Sequence, residues 1–275
     1  MPGNEYQLGA TILKASNISL TLGGRAILRD VNVEIRDILR PDSCVGQVSA
    51  LLGPSGIGKT RLFRLLAGLD EPTAGEIRIG DPGAPVERGK VGVVAQDYPL
   101  FAHRTVFGNL AIAGRMAGLS AEAAREKARG FLSRFHLEDC ATRYPIQLSG
   151  GQRQRVAIAQ QFMCSEHFLL MDEPFSGLDP VAIESVAELI SEAANAEELN
   201  TIIVVTHDIA AAIAVADHVW LLGRDRDAKG EPLPGARIQE NYNLLKRGLA
   251  WRKGIQFTPE FQATAAEIRQ RFVTL

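Results

Sequence analysis

The sequence lacks most of what would mark a secreted, membrane-spanning or nucleic-acid-binding protein. It has only three cysteines in 275 residues, Cys44, Cys140 and Cys164. Their odd number and scattered spacing exclude a disulfide framework and a cysteine metal site, and they fit a reducing cytosol. The longest apolar run, Ile209 to Ala216, is far too short to span a bilayer, so any membrane role requires a partner chain. The opening "MPGNEYQLGA" has neither the charged n-region nor the apolar h-region of a secretory signal. Net charge is only -2, and basic and acidic residues alternate along the chain. With no strong basic field, nucleic acid is not an expected partner. No repeat or low-complexity tract is visible. What remains is 46% hydrophobic and 23% charged, an ordinary globular balance with ample core for one large domain or two small ones.

The positive content begins with strands. "ISLTL" and "RAILRDVNVEI", within residues 12–36, flank Gly23-Gly24 and predict a β-hairpin, which "GEIRIG" (75–80) would join. Short apolar runs at 48–52, 91–94, 168–171 and 201–205 predict buried parallel strands, with 218–222 as a fifth. Residues 105–140 predict helices, one of them capped by Ser120. A last helix starts at Thr258 and Pro259, with Phe261, Ala265, Ile268 and Phe272 on one face. The polar, Gly/Pro-rich stretch 223–236 predicts a loop, and 36–47 a small insertion before the first parallel strand. The basic stretch 244–254 reads as a solvated face, with a position near lipid headgroups as the alternative.

"GPSGIGKT" follows an apolar strand and opens a helix, the context that a phosphate loop requires. Gly53, Pro54, Ser55, Gly56, Ile57 and Gly58 form the loop, and Lys59, Thr60 and Arg61 begin the helix. Glycines let backbone N–H groups converge on phosphate oxygens, and the helix N-terminus adds partial positive charge. Lys59 reaches β- and γ-phosphates, and the Thr60 hydroxyl suits Mg²⁺. Each later apolar run then ends in a polar residue: Gln96, the pair Asp172-Glu173, and His207. Strands of an open parallel sheet present ligands at these carboxyl ends. Asp172 suits the carboxylate that holds Mg²⁺ through water, and Gln96 suits the same metal shell. Glu173 suits the base that polarises an attacking water, with His207 donating to the γ-phosphate. Taken singly, each has a plainer explanation: a solvated acid pair at a strand end, or a core histidine. Their joint occurrence with a phosphate loop favours a converging nucleotide site.

"LSGGQ", Leu148 to Gln152, is a capping box of Ser149 and Gln152 before a helix. A cap does not call for Gly150 and Gly151 side by side, because glycine weakens a helix. The pair implies close backbone approach to something anionic. Here the sequence resembles the ATP-binding cassette (ABC) ATPases, over about residues 12–222. The parts come in family order: phosphate loop, Gln96, "LSGGQ", the acidic pair in "FLLMDEP", "SGLD" (176–179) and the terminal histidine of "TH".

The resemblance implies an α/β P-loop fold: a mostly parallel core sheet, an N-terminal antiparallel β subdomain and an inserted α-helical subdomain. It implies one ABC ATPase domain over 1–275, with the helical insert at about 105–165 and a C-terminal extension at about 223–275. ATP and Mg²⁺ would be bound. Two cassettes would pack head to tail as a homodimer or paired cassette. Ser149, Gly150, Gly151 and Gln152 of one would close over ATP held by the phosphate loop of the other, and Asp179 would sit near the same seam. Leu22 stands where the family usually has an aromatic residue, so adenine contact would be apolar. Gln160 stands where Arg is usual.

Among family members, "RYPIQLSGGQ" resembles the importer form. About fifty residues separate Gln96 from Leu148, room for a small helical subdomain but not for long coiled coils. The implied protein is an importer motor, cytoplasmic and held peripherally on the inner membrane face by an integral membrane permease, with a solute-binding protein in the same system. A soluble ABC ATPase of DNA repair, translation or cofactor assembly is the alternative. Residues 96–110 would dock the permease, with Tyr98, Leu100, Phe101 and Phe107 forming a groove.

Overall fold

The computed structural model describes residues 6–39, 46–80, 83–164, 168–178, 180–194, 201–250 and 254–275. Cys44 and half of the expected 36–47 insertion, residues 40–45, lie outside them. Residues 36–39 prove to be strand, continuing a ribbon of β1 (Gln7–Leu22) and β2 (Arg25–Leu39) that is longer than the sequence predicts. Gly23 and Gly24 both take positive φ, 54° and 76°, as a two-residue turn between Leu22 and Arg25 requires.

The ribbon holds its core face through two compensating bulges. Leu13 and Ala15 are buried, and then the buried parity shifts to Ile18 and Leu20. The extra β1 residue falls around Asn17, at φ 53°, and β2 answers with Asp30 at φ 48°. β4 (Ala74–Ile79) adds to β1, and Gly75 lies against the bulge. A Cβ on Gly75 would stand 2.5 Å from the Ser16 and Asn17 carbonyl oxygens, at a φ of +89°. Gly75→Ala is therefore expected to cost on the order of 3 kcal/mol, from backbone strain plus overpacking. That should lower Tm by roughly 6–12 °C. A melt within 2 °C of the parent would mean that the bulge gives way freely.

The parallel strands are β3 (Gln47–Leu52), β6 (Gly92–Val94), β7 (Phe168–Asp172), β8 (Thr201–Thr206) and the start of β9 (His218–Arg226). With β5 (Ala84–Pro85) and β10 (Pro232–Asn243) they complete a ten-stranded sheet among the described residues, in the order β5-β4-β1-β2-β10-β9-β3-β8-β7-β6. The expected antiparallel unit is thus continuous with the parallel core. Both faces of the parallel strands are buried. Leu52, Met171, Val204 and Leu221 face one cluster, while Leu51, Leu170, Val205 and Leu222 face the other.

α1 (Lys59–Leu66) and the antiparallel strands cover the second face. The first carries α2 (Val106–Met116), α3 (Ala121–Arg134), α4 (Gly150–Cys164), α5 (Pro180–Ala194), α6 (Ile209–Val215) and α7 (Pro259–Phe272). Ser120 and Thr258 cap α3 and α7 as the sequence predicts, accepting from Ala123 and Phe261 N–H groups at 3.1 and 3.3 Å. Phe131, Phe135 and Phe162 stack where α3 meets α4.

The stretch 223–236 is not a loop. β9 runs on to Arg226 and β10 begins at Pro232, with only a short turn between them. Its acid Asp225 is paired across the sheet rather than left to solvent. Asp225 lies 2.5 Å from Arg29 on β2 and 3.6 Å from Arg237 on β10. Gly230, at φ 83°, serves the turn. In the basic stretch 244–254, Arg247 pairs with Glu267 at 2.6 Å and covers the Tyr242 ring, and residues 251–253 lie outside the described set.

Candidate nucleotide-binding site

β3 delivers the chain into the loop 53–58, and α1 leaves it with no side-chain cap. The three glycines do different work. A Cβ on Gly53 would lie 2.8 Å from the Leu222 carbonyl oxygen, and one on Gly58 would lie 3.2 Å from Leu28. These two are required by packing, and Gly58 also by its φ of +117°. Gly56, at φ +76°, faces open space. The first helix N–H groups with a backbone partner are those of Arg61 and Leu62, both donating to the Gly58 carbonyl. The Ile57 N–H donates to the Pro54 carbonyl at 3.4 Å, and those of Lys59 and Thr60 are left for an anion, in accord with helix-terminus physics. Ser55 and Thr60 are exposed beside them, Pro54 is half-buried and Ile57 is buried.

Lys59 is buried and folds back over the loop. Its Nζ donates to the Gly53 and Pro54 carbonyl oxygens at 2.8 and 3.2 Å. It also lies 3.7 Å from Glu173 Oε1. Burial lowers the Lys59 pKa from the usual lysine value, while Glu173 and Asp172 work against the shift. Asp172 shows the mirror effect. Burial raises its carboxyl pKa, neighbouring Glu173 adds to the rise, and Lys59 opposes it.

Glu173 sits just past β7 in the left-handed region, at φ 48°. Its N–H donates to the Val205 carbonyl at 2.7 Å, which ties the residue to the adjacent β8. One carboxylate oxygen faces Lys59. The other accepts from the Thr206 hydroxyl at 3.2 Å and the His207 N–H at 3.3 Å, and lies 2.9 Å from His207 Nδ1. Lys59, Glu173 and His207, from the ends of three neighbouring strands, therefore form one connected group. The His207 ring is otherwise open, with 56% of the side chain exposed.

Gln96 is exposed just past β6. Two residues on, Tyr98 takes φ 46°, and its hydroxyl donates to the Pro174 carbonyl at 3.2 Å. This bond ties the segment after β6 to the turn that carries Glu173. Burial pushes the Tyr98 pKa up to about 12. Tyr98, Leu100 and Phe107 pack partly buried against the main core, so the expected groove of four side chains is mostly closed; only Phe101 is exposed. The buried Asn109 side chain fixes the turn before α2, accepting from Phe101 N–H at 2.7 Å and donating to the Phe101, Arg104 and Thr105 carbonyls. Sequence reading missed Thr206 as a partner of Glu173 and Tyr98 as a partner of the Pro174 carbonyl beside it. An aromatic residue and a strand-end threonine carry no signal of their tertiary partners.

The capping box at 149–152 forms as predicted. Ser149 N–H donates to Gln152 Oε1 at 3.1 Å, and Gln152 N–H to Ser149 Oγ at 3.3 Å. Gly150 and Gly151 are exposed, and a Cβ on either would meet nothing within 4 Å. No protein packing demands these glycines. No hydrogen bond joins 149–152 to the phosphate loop among the described residues. Leu22 sits 40% exposed at the hairpin tip. Arg61 approaches Asp70 at 3.9 Å. Gln160 is buried. Asp179 lies outside the described residues.

Known proteins resemble this chain in sequence and in fold. The family described as "ABC transporter" matches residues 42–176. The sulfate/thiosulfate import ATP-binding protein CysA of Escherichia coli (strain K12) is 39% identical over 222 residues, covering 77% of this chain and 58% of that protein. The spermidine/putrescine import ATP-binding protein PotA of Marinobacter nauticus is 37% identical over 215 residues, covering 77% and 55%. The chain thus spans little more than half the length of these relatives. In structure, cbiO1 from Clostridium perfringens, part of the ABC transporter complex cbiONQ, aligns with a TM-score of 0.73 at 24% identity, over 96% of this chain and 98% of that one, and shows the same fold. The chain belongs to the ATP-binding cassette family of ABC transporter ATP-binding proteins.

Proposed function

We propose that this chain is an ATP-binding and ATP-hydrolysing motor subunit that powers solute uptake through a separate membrane permease. The observation that carries the reading is the connected group of Lys59, Glu173 and His207 beside a helix start whose Lys59 and Thr60 N–H groups have no backbone partner among the described residues. Gly53 to Thr60, with Arg61, would cradle the phosphates, and Lys59 would exchange its loop carbonyls for β- and γ-phosphate oxygens. Glu173 would accept a proton from the attacking water as the water–phosphorus bond forms and the β,γ bridge breaks. His207 would donate to the γ-phosphate. Leu22 would lie against adenine.

Mg²⁺ fits the residues present. No cluster of three or more His, Cys, Asp or Glu able to hold a metal occurs among the described residues. Mg²⁺ does not need one, since it keeps its waters and binds through one or two carboxylates plus substrate phosphates. The Thr60 hydroxyl, Asp172 and Gln96 would hold it, and when bound it would neutralise charge on the phosphates. Chelation with EDTA is expected to take ATP hydrolysis to background and added Mg²⁺ to restore it. Hydrolysis that persists in EDTA would remove the metal from the reading.

Two such chains, or this chain and a paired cassette, would close head to tail on ATP. Ser149, Gly150, Gly151 and Gln152 of one would complete the site of the other, with Asp179 at the seam. The whole chain would act as one ATPase domain, with 105–165 as its inserted helical part and 223–275 as an extension. Among the described residues no helix is long and apolar enough to cross a membrane. Attachment to the inner face would therefore run through the permease, with a solute-binding protein in the same system. The relatives' names pair the same kind of cassette with sulfate and with polyamines, cargoes of opposite charge. Cargo choice is accordingly assigned to the partner chains. Affinity purification from detergent extract tests the reading. A co-purifying polytopic membrane protein is expected, and its absence alongside a soluble nucleic-acid or ribosomal partner would overturn the importer assignment.

A further inference from the structure

Away from the nucleotide site, the β9–β10 hairpin and the end of α7 enclose a cleft of about 390 Å³. Its walls are unusually cationic. Arg224, Arg226 and Arg271 line it, with Gln239, Thr274, Leu275 and one acidic side chain, Asp225. The acid is already claimed, by Arg29 at 2.5 Å, Arg237 at 3.6 Å and Gln239 Nε2 at 3.0 Å. Arg271 is paired with Glu240. Arg226 donates only to neutral carbonyls, those of Thr274 at 3.0 Å and Gly230 at 2.8 Å. The Arg224 side chain makes no hydrogen bond or ion pair among the described residues, and its Nε is buried without a partner. Counting the ion-pair partners just outside the cleft, five guanidinium groups are set against two side-chain carboxylates and the main-chain carboxylate of Leu275. A guanidinium cannot shed its proton to relieve burial, and its planar fork matches carboxylate and phosphate oxygens.

We propose that this cleft is a second anion site, which takes a small free organic polyanion carrying phosphate or carboxylate groups. Arg224 and Arg226 supply uncompensated charge, and Gln239 a neutral donor. The volume exceeds what a lone oxyanion fills and falls in the range of small-ligand pockets. Residues next to the cleft along β9 and β2 back the phosphate loop. Leu222, two residues before Arg224, meets Gly53, and Leu28, next to Arg29, meets Gly58. The site rests on different residues from those of the proposed ATPase, so either assignment stands or falls without the other.

The test is calorimetric titration of the full chain at low ionic strength, with Mg·ADP saturating the phosphate loop. The probes are 3-phosphoglycerate, inorganic sulfate and phosphatidylglycerol vesicles. One 3-phosphoglycerate should bind per chain, with sulfate about tenfold weaker or more and no vesicle binding. Arg224→Met should weaken 3-phosphoglycerate by roughly tenfold or more, as loss of a charge-assisted contact requires. Arg224→Lys should recover part of that loss, with ADP affinity and melting unchanged in both. If Arg224→Met does not fold, Gln239→Glu, which places a carboxylate in the cleft, should weaken binding likewise. Absence of 3-phosphoglycerate binding, equal affinity for sulfate, preference for vesicles, or undiminished affinity in the folded variants would each overturn the site.

Discussion

Glu173→Gln should bind ATP yet turn it over roughly 10²–10⁴-fold more slowly, the span of general-base catalysis. That is a barrier rise of about 3–5 kcal/mol. The geometry explains why the substitution isolates chemistry from folding. Glutamine keeps the shape of the side chain, and its amide oxygen can still accept from Thr206 and the His207 N–H, as the carboxylate does at 3.2 and 3.3 Å. The backbone bond from residue 173 to Val205 is untouched. What disappears is the basic oxygen and a negative charge 3.7 Å from Lys59. Lys59 then has only loop carbonyls to leave when phosphate arrives, so nucleotide affinity should hold or rise. Phosphate release measured beside ATP binding separates the two effects. With ATP the variant should run as a dimer in size-exclusion chromatography, while the nucleotide-free chain runs as a monomer. Near-normal turnover would remove Glu173 from the role of base.

The residue types of this site were legible because strand ends are legible. Each buried run was an uninterrupted apolar stretch, and the polar residue that followed it had to emerge at the same edge of the parallel sheet. That logic brings Lys59, Glu173 and His207 together from sequence alone. It failed where local polarity is answered by tertiary partners. The stretch 223–236 looks solvated by composition, yet Asp225 meets Arg29, nearly two hundred residues earlier in the chain. No window along the sequence contains that pairing. The bulges at Asn17 and Asp30 were likewise hidden, because each makes sense only against the other strand. From sequence Tyr98 belongs to a surface groove, since an aromatic ring says nothing of a positive φ or of a hydroxyl aimed at Pro174.

The glycine pair of "LSGGQ" offers the sharpest separation of stability from function. Gly150 and Gly151 stand in the first turn of α4, exposed, without positive φ and with nothing near a built Cβ. Within this chain, a larger residue there should be harmless, and by helix propensity it should stabilise by as much as about 1 kcal/mol. Gly151→Leu is therefore expected to melt at or slightly above the parent temperature and to bind nucleotide on the phosphate loop normally. In the proposed pair, the same side chain would stand between the α4 N-terminus of one chain and the γ-phosphate held by the other. Donors aimed at such charge are each worth about 10²–10³ in rate. Turnover should accordingly fall by at least roughly 10²-fold, and the ATP-dependent dimer should be lost even in the Glu173→Gln background. Adding Ser149→Leu would also remove the cap, at a cost of about 1 kcal/mol, so the single glycine variant is the cleaner reading. A monomeric Gly151→Leu chain that hydrolyses ATP at full rate would show that the motif serves only to start its own helix.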